Sequence, residues 1–222
     1  MNHPSLRVFA LLFLVSCHNP SASDTDNSLP LPKVNNIPAP APIMFKVEAV
    51  YPHDPSSYTQ GLEFYKGKLY EGTGEWGTSK LRIVDIATGV PEKNYLIPDT
   101  AIFGEGITLF NHRIYQLTWQ NHKIFVYNPD DISRPINTFT WNRDGWGATH
   151  DDHRIIISDG SSKLFFVQPD DSKKEMRIGK ILTVADNMGE VDSLNELELI
   201  DGYVYANRWL TNYIVKIDTA TG

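Results

Sequence analysis

From Met44 onward, apolar and polar positions follow one another in short runs, and no long stretch carries a 3.6-residue period. Such a pattern predicts strands. Turn signals such as Tyr65-Lys-Gly-Lys68, Ala87-Thr-Gly89, Asn128-Pro-Asp-Asp131, Asp159-Gly160 and Asp201-Gly202 separate the runs at short intervals. The runs also resemble one another. Gln60-Gly61-Leu62-Glu63, Glu105-Gly106-Ile107-Thr108, Trp146-Gly147-Ala148-Thr149 and Asn195-Glu196-Leu197-Glu198 each open a unit. A second strand follows each opener at Lys68–Tyr70, Arg113–Tyr115, Arg154–Ile156 and Tyr203–Tyr205. A third follows at Leu81–Asp85, Ile124–Tyr127, Leu164–Val167 and Ile214–Asp218. The openers lie 41 to 49 residues apart. A period of that length with three or four strands per unit predicts an all-β fold, a β-propeller with blades around a central channel rather than a solenoid. Four units are visible, and Asp218-Thr-Ala-Thr-Gly222 reads as the turn into another strand. The expectation is a last blade incomplete in this chain, with Phe45-Lys-Val-Glu-Ala-Val50 as its outer strand.

Ahead of the repeats the pattern changes. Arg7 is followed by the apolar run Val8–Val15 and by Ser16-Cys17, too short for a membrane span of roughly 20 residues and suited to a secretory signal. Leu14-Val-Ser-Cys17 resembles the lipobox of bacterial lipoproteins; the alternative is a plain signal peptide with an incidental cysteine. Residues 1–16 are therefore expected to be a lipoprotein-type signal peptide, residues 17–43 a proline-rich tether and residues 44–222 the propeller domain. By that resemblance Cys17 carries the lipid. Because His18 rather than Asp follows it, the protein would be exported and held on the outer membrane, facing the periplasm of a Gram-negative bacterium. Cys17 is the only cysteine, so no disulfide forms within one molecule.

Composition narrows the function. With 222 residues and 41% apolar content, one substantial domain is expected. A net charge of −7 without any run of Lys or Arg excludes a nucleic-acid partner. Aromatic residues make up 11% of the chain, five of them Trp, which suits a protein that presents stacking surfaces.

In a propeller the first strand of every blade lines the channel, so equivalent positions converge at one end. Gln60, Glu105, Trp146 and Asn195 share one slot of the repeat, where a unit built only for packing would carry apolar residues. The glycines flanking Glu105 are expected to leave it open to a ligand. Tyr58, Phe103, Trp119 and Trp209 lie close by in sequence or one strand along. A polar cluster inside an aromatic ring has the composition of a small-ligand pocket. Glu105 could equally cap backbone donors or hold a structural cation. His150-Asp-Asp-His153 falls where a polar turn belongs, which weighs against a metal site there, and Ser158-Asp-Gly-Ser161 fits a turn or strand end better than a nucleophile.

The motifs Tyr58-Thr-Gln-Gly-Leu62, Tyr70-Glu-Gly-Thr-Gly74, Phe103-Gly-Glu-Gly-Ile-Thr108, Gln116-Leu-Thr-Trp119, Gly145-Trp-Gly147 and Leu194-Asn-Glu-Leu-Glu198 with Tyr205-Ala-Asn-Arg-Trp209 resemble the plant and bacterial type of glutaminyl-peptide cyclotransferase. The resemblance runs from about Phe45 to the end of the sequence and implies a five-bladed propeller. It implies that Glu105 is the catalytic acid/base, that Gln60 and Asn195 bind substrate through their amides, and that Tyr58, Phe103, Trp119, Trp146 and Trp209 wall the pocket. Tyr58 stands where the family usually has Phe, and a lysine of the family's last blade has no counterpart here. The implied partners are peptides or proteins with an N-terminal glutamine, handled by a monomer without metal or cofactor. The residue types suit that chemistry, because cyclisation needs one group to take a proton from the α-amine and return it to the leaving nitrogen. The rival expectation is a non-catalytic, surface-anchored propeller that binds peptides or glycans in an aromatic-lined pocket.

Overall fold

The computed structural model describes residues 36–222. The expected signal peptide, Cys17 and the expected tether as far as residue 35 lie outside the described residues. The first four strands, β1 (Thr59–Tyr65), β2 (Lys68–Thr73), β3 (Lys80–Val84) and β4 (Pro91–Leu96), form an antiparallel meander. The pattern recurs in β5 (Gly104–Phe110), β6 (Arg113–Thr118), β7 (Lys123–Tyr127) and β8 (Asn137–Thr140), then in β9 (Ala148–His150), β10 (Ile155–Ser158), β11 (Lys163–Asp170) and β12 (Glu175–Thr183). A small hairpin, β13 (Ala185–Asp186) and β14 (Gly189–Glu190), precedes the last meander of β15 (Leu194–Ile200), β16 (Tyr203–Arg208) and β17 (Ile214–Asp218). A single parallel bridge, Glu175 opposite Thr140, joins the outer edges of the second and third meanders.

Local chemistry sets the hairpins. Lys66-Gly67, Asn111-His112 and Asp201-Gly202 link the first two strands of three units, and all six residues have positive φ, the backbone of a two-residue turn whose twist matches the strands it joins.

The core lies between sheets. On β10, Ile155 and Ile157 enter the layer shared by the second and third meanders, while Ile156 enters the layer shared by the third and fourth. Phe165 and Val167 on β11 alternate with Leu164 and Phe166 in the same way. Side chains on a strand point to opposite faces in turn, so a sheet buried on both faces reads as an unbroken apolar run. Tyr70, Leu81 and Ile83 meet Ile107 and Ile114 in the layer between the first and second meanders. The inner strands β1, β5, β9 and β15 touch in that order, and β15 also touches β1. The outward faces of the flanking meanders leave Phe64, Tyr213 and Ile214 exposed.

Phe45–Val50, expected as the outer strand of the incomplete last blade, joins no sheet among the described residues, and Phe45 and Val50 are both 86% exposed. An alternating run becomes a strand only where a sheet edge accepts its backbone donors and acceptors, and among the described residues none does.

Candidate active site

The four inner strands begin at the same end of the channel, and three of them are irregular at the slot identified in the repeat. The ladder shifts register between Thr59 and Gly61, between Gly104 and Ile107, and between Leu194 and Leu197. Gln60, Glu105 and Asn195 therefore each lie in a bulge, which breaks the pleat and re-aims a side chain. The fourth slot residue, Trp146, lies just ahead of β9 and donates its backbone N–H to the Ser158 carbonyl.

Below the slot the inner strands close on one another. A Cβ on Gly61 would sit 2.6 Å from the backbone N of Ile107, one on Gly106 2.6 Å from the carbonyl of Trp146, and one on Gly147 1.9 Å from the carbonyl of Asn195. Gly106 N–H donates to the Trp146 carbonyl at 2.8 Å. These glycines form a neck. The expectation that the glycines beside Glu105 hold space for a ligand is overturned, because backbone of the neighbouring strands fills it. Two buried serines brace the same region. Ser79 Oγ accepts from Gly104 N at 2.9 Å and donates to the Glu75 carbonyl, and Ser158 Oγ accepts from Gly147 N at 2.8 Å and donates to the Asn195 carbonyl.

Glu105 is 7% exposed and its carboxylate accepts no hydrogen bond from the described residues. Burial, reinforced by the negative charge of Asp144, pushes its pKa up to about 8. The aromatic residues form two groups. Phe103 is buried against Tyr58, Trp76 and Trp119, with ring centroids 6.1, 5.4 and 5.9 Å away. Gly74 ties this group to the slot, since a Cβ there would meet the Phe103 ring at 2.4 Å and Cγ of Gln60 at 3.1 Å. In the second group Trp146 and Trp209 meet edge to face at 5.5 Å. Gly145 N–H reaches the carbonyls of Thr118 and Trp119, which links the two groups. Trp146 Nε1 is buried and has no acceptor among the described residues.

Two site residues were missed in the sequence. Trp76 lies in a turn outside every repeated motif, and Asp144 is signalled only by its place two residues before the slot tryptophan. The His150–His153 stretch separates in space: His150 bonds Thr108 through Nδ1, whereas His153 lies in a turn that the Asp151 carboxylate caps. Among the described residues no three of His, Cys, Asp and Glu are arranged to hold a metal ion.

Comparison with known proteins adds an independent line. A family model described as glutamine cyclotransferase matches residues 14–222. The glutaminyl-peptide cyclotransferase of Arabidopsis thaliana is 37% identical over 180 residues, which is 80% of this chain and 54% of that protein. The chain thus spans about half the length of that relative. The crystal structure of Myxococcus xanthus glutaminyl cyclase aligns with a TM-score of 0.69 at 30% identity, covering 78% of this chain and 70% of the other. A chain of the nidogen/laminin complex aligns with a TM-score of 0.54 at 16% identity over 77% of this chain and 79% of its own, a likeness of fold alone. The structural neighbours are β-propellers. Matched over most of its length, the chain belongs to the glutamine cyclotransferase family.

Proposed function

We propose that this protein is a glutaminyl-peptide cyclotransferase that converts an N-terminal glutamine to 5-oxoproline with release of ammonia, in a five-bladed ring of which the four meanders form the visible part. The exposed outer faces of β1 and β17 support the ring, since Phe64 and Ile214 are there for another blade to cover. The observation that carries the function is Glu105, a buried carboxylate without hydrogen-bond donors among the described residues, two positions after the Phe103 of the aromatic group in a family of cyclotransferases.

The reaction joins the α-nitrogen of glutamine to its own Cδ and breaks the bond from Cδ to the side-chain nitrogen. Glu105 takes the proton that the α-amine sheds on attack and returns it to the leaving nitrogen, so carboxylate and water content are unchanged at the end. A pKa raised to about 8 leaves part of Glu105 ionised near neutral pH, the form that accepts the proton, and makes the protonated form a ready donor to the leaving nitrogen. Gln60 and Asn195 offer side-chain amides to the carbonyl oxygen as negative charge builds on it. The rings of Phe103, Trp119, Trp146, Trp209 and Tyr58 fold the flexible substrate onto itself, and for an intramolecular reaction that confinement is much of the catalysis.

Ammonia release from a dipeptide that begins with glutamine, followed for wild type and Glu105→Gln, tests the reading. Binding of the peptide without any ammonia would favour the rival, non-catalytic propeller. The proposal includes attachment through lipid on Cys17, supported by Leu14-Val-Ser-Cys17. Palmitate labelling lost in Cys17→Ser is the expected result.

A further inference from the structure

Trp76 sits in the turn between β2 and β3, and the backbone that presents it is strained. Glu75 has φ of 94° and Gly77 of 74°, and a residue with a Cβ adopts the former only when its surroundings enforce it. Ser79 Oγ and Thr78 N–H both donate to the Glu75 carbonyl, at 2.7 and 3.3 Å, and Trp76 N–H donates to the Glu75 carboxylate at 3.1 Å. Ser79 Oγ is the same atom that accepts from Gly104, the residue before Glu105. The strained turn is therefore bolted to the strand of the proposed catalytic group.

What the turn presents is a tryptophan 47% exposed. The Trp76 ring lies edge-on to Phe103 at 5.4 Å and tilted against Trp119 at 6.2 Å. Phe103 is 9% exposed and packs beside Gln60 across Gly74. Trp76 is thus one ring outward from the buried Phe103, with part of its ring against Phe103 and Trp119 and much of its surface in water. A large aromatic ring held partly in water by a strained turn offers a stacking face to a ligand.

Cyclisation uses the α-amine and the side chain of the first residue, so the remaining peptide leaves through its α-carbonyl and passes the rim. We propose that Trp76, backed by Trp119, is the platform for the side chain of the second residue, and that it selects aromatic and apolar side chains there. This rests on the cyclotransferase reading. The competing surface is Trp209, 46% exposed and packed on Trp146 in the other aromatic group.

The test compares kcat/KM for the amides of Gln-Phe, Gln-Ala and Gln-Glu, by ammonia release, in the full chain and its variants. Stacking on an exposed ring is worth a preference on the order of tenfold for Phe over Ala. That ratio should collapse towards one in Trp76→Ala, persist in Trp76→Phe and persist in Trp209→Ala. A ratio cancels any loss of folded protein. An unchanged ratio in Trp76→Ala, a ratio that collapses in Trp209→Ala instead, or an active wild type without preference overturns the platform and leaves the cyclotransferase standing. A wild type that releases ammonia from no glutaminyl peptide overturns both.

Discussion

The two ends of the inner strands hold carboxylates of similar acidity and opposite character. At the upper end, Glu105 is pushed up to about 8 by burial and by the charge of Asp144, and it accepts no hydrogen bond from the described residues. At the lower end, burial pushes Glu196 up to about 8 and Glu198 to about 7, each reinforced by neighbouring carboxylates, and raises Glu63 as well. There Glu63 is tied into a network of polar groups. Glu63 accepts from Leu109 N at 3.0 Å and Thr108 Oγ1 at 3.2 Å, Thr108 Oγ1 pairs with His150 Nδ1 at 2.9 Å, and Thr149 Oγ1 accepts from Leu199 N at 3.1 Å. Those contacts run from β1 to β5, from β5 to β9 and from β9 to β15, so they stitch blades together. A raised carboxyl pKa is common to both ends and distinguishes neither. Donors separate Glu63 from Glu105, since a carboxylate already engaged by the protein is part of the frame and one left free is available to move a proton. Glu196 and Glu198 accept no hydrogen bond among the described residues either, and what sets them apart from Glu105 is that they and Glu63 form one cluster of like charges.

The sharpest break in this comparison is Glu105→Gln, which keeps the shape and removes the proton chemistry. General acid/base catalysis is worth about 10²–10⁴-fold, and kcat should fall by that much while binding of a glutaminyl peptide changes little. The pH profile checks the assignment separately. In the wild type kcat/KM should climb through pH 7 to 9, as Glu105 loses its proton near 8. In Glu105→Gln only the titration of the substrate amine remains. Stability should move oppositely. The folded chain holds the Glu105 proton up to about 8, whereas an unfolded glutamate releases it near 4.3, so stability falls as pH rises between those values.

Next in size is the neck between the two ends. Gly147→Ala would place a Cβ 1.9 Å from the Asn195 carbonyl, and backbone cannot swing aside as a flexible side chain can. Overpacking costs about 1–3 kcal/mol and sometimes more. The expected result is a large drop in thermal midpoint together with impaired turnover, because Asn195 moves with the strand. Gly67→Ala has open space around its Cβ and only its φ of 75° to satisfy, so it should cost less and leave turnover intact.

Much of this arrangement is legible in the residues, and the exceptions have physical causes. The slot residues Gln60, Glu105, Trp146 and Asn195 stand out because a period of 41 to 49 residues brings them into register. Strands such as β10 and β11 announce themselves through Ile155–Ile157 and Leu164–Val167. The outer strand β4 does not, since Pro-Glu-Lys-Asn-Tyr-Leu is mostly exposed and carries no alternation. Phe45–Val50 is the opposite case, having the pattern without a sheet edge to join among the described residues. The bulges at the slot, the neck formed by Gly61, Gly106 and Gly147, and the place of Trp76 depend on contacts between units far apart in the chain. Glycine beside glutamate suggests room for a ligand when only the linear order is known, whereas it is the closeness of the next strand that demands it.

At the lower end, Glu63→Leu should separate frame from chemistry. It leaves the Leu109 N–H without its acceptor, and an unsatisfied buried donor costs about 1–3 kcal/mol. For a domain of this size that is a fall of several degrees in thermal midpoint, with kcat and KM of the folded protein within a few-fold of wild type. A loss of turnover comparable to that of Glu105→Gln would mean that both ends take part in the reaction.

The smallest effect tests the sign of the lower cluster. Glu198 is pushed up to about 7 by burial first and by the charge of Glu63 second. In the unfolded chain the same group ionises near 4.3, so its contribution turns unfavourable as pH rises from there to about 7 and is unfavourable in full above that. Glu198→Gln removes the ionisation and keeps an acceptor in place. At pH 8 the substitution should therefore raise the thermal midpoint, and because water reaches part of this residue and screens its charge, the rise should be small, on the order of a few degrees. At pH 4, where the carboxyl is protonated in the folded chain and largely so in the unfolded one, the two proteins should melt together. A midpoint lowered at pH 8 would show that the ionised carboxylate is held by a partner that stabilises it, and the lower end would then be an anion-stabilising site rather than a frame under electrostatic load.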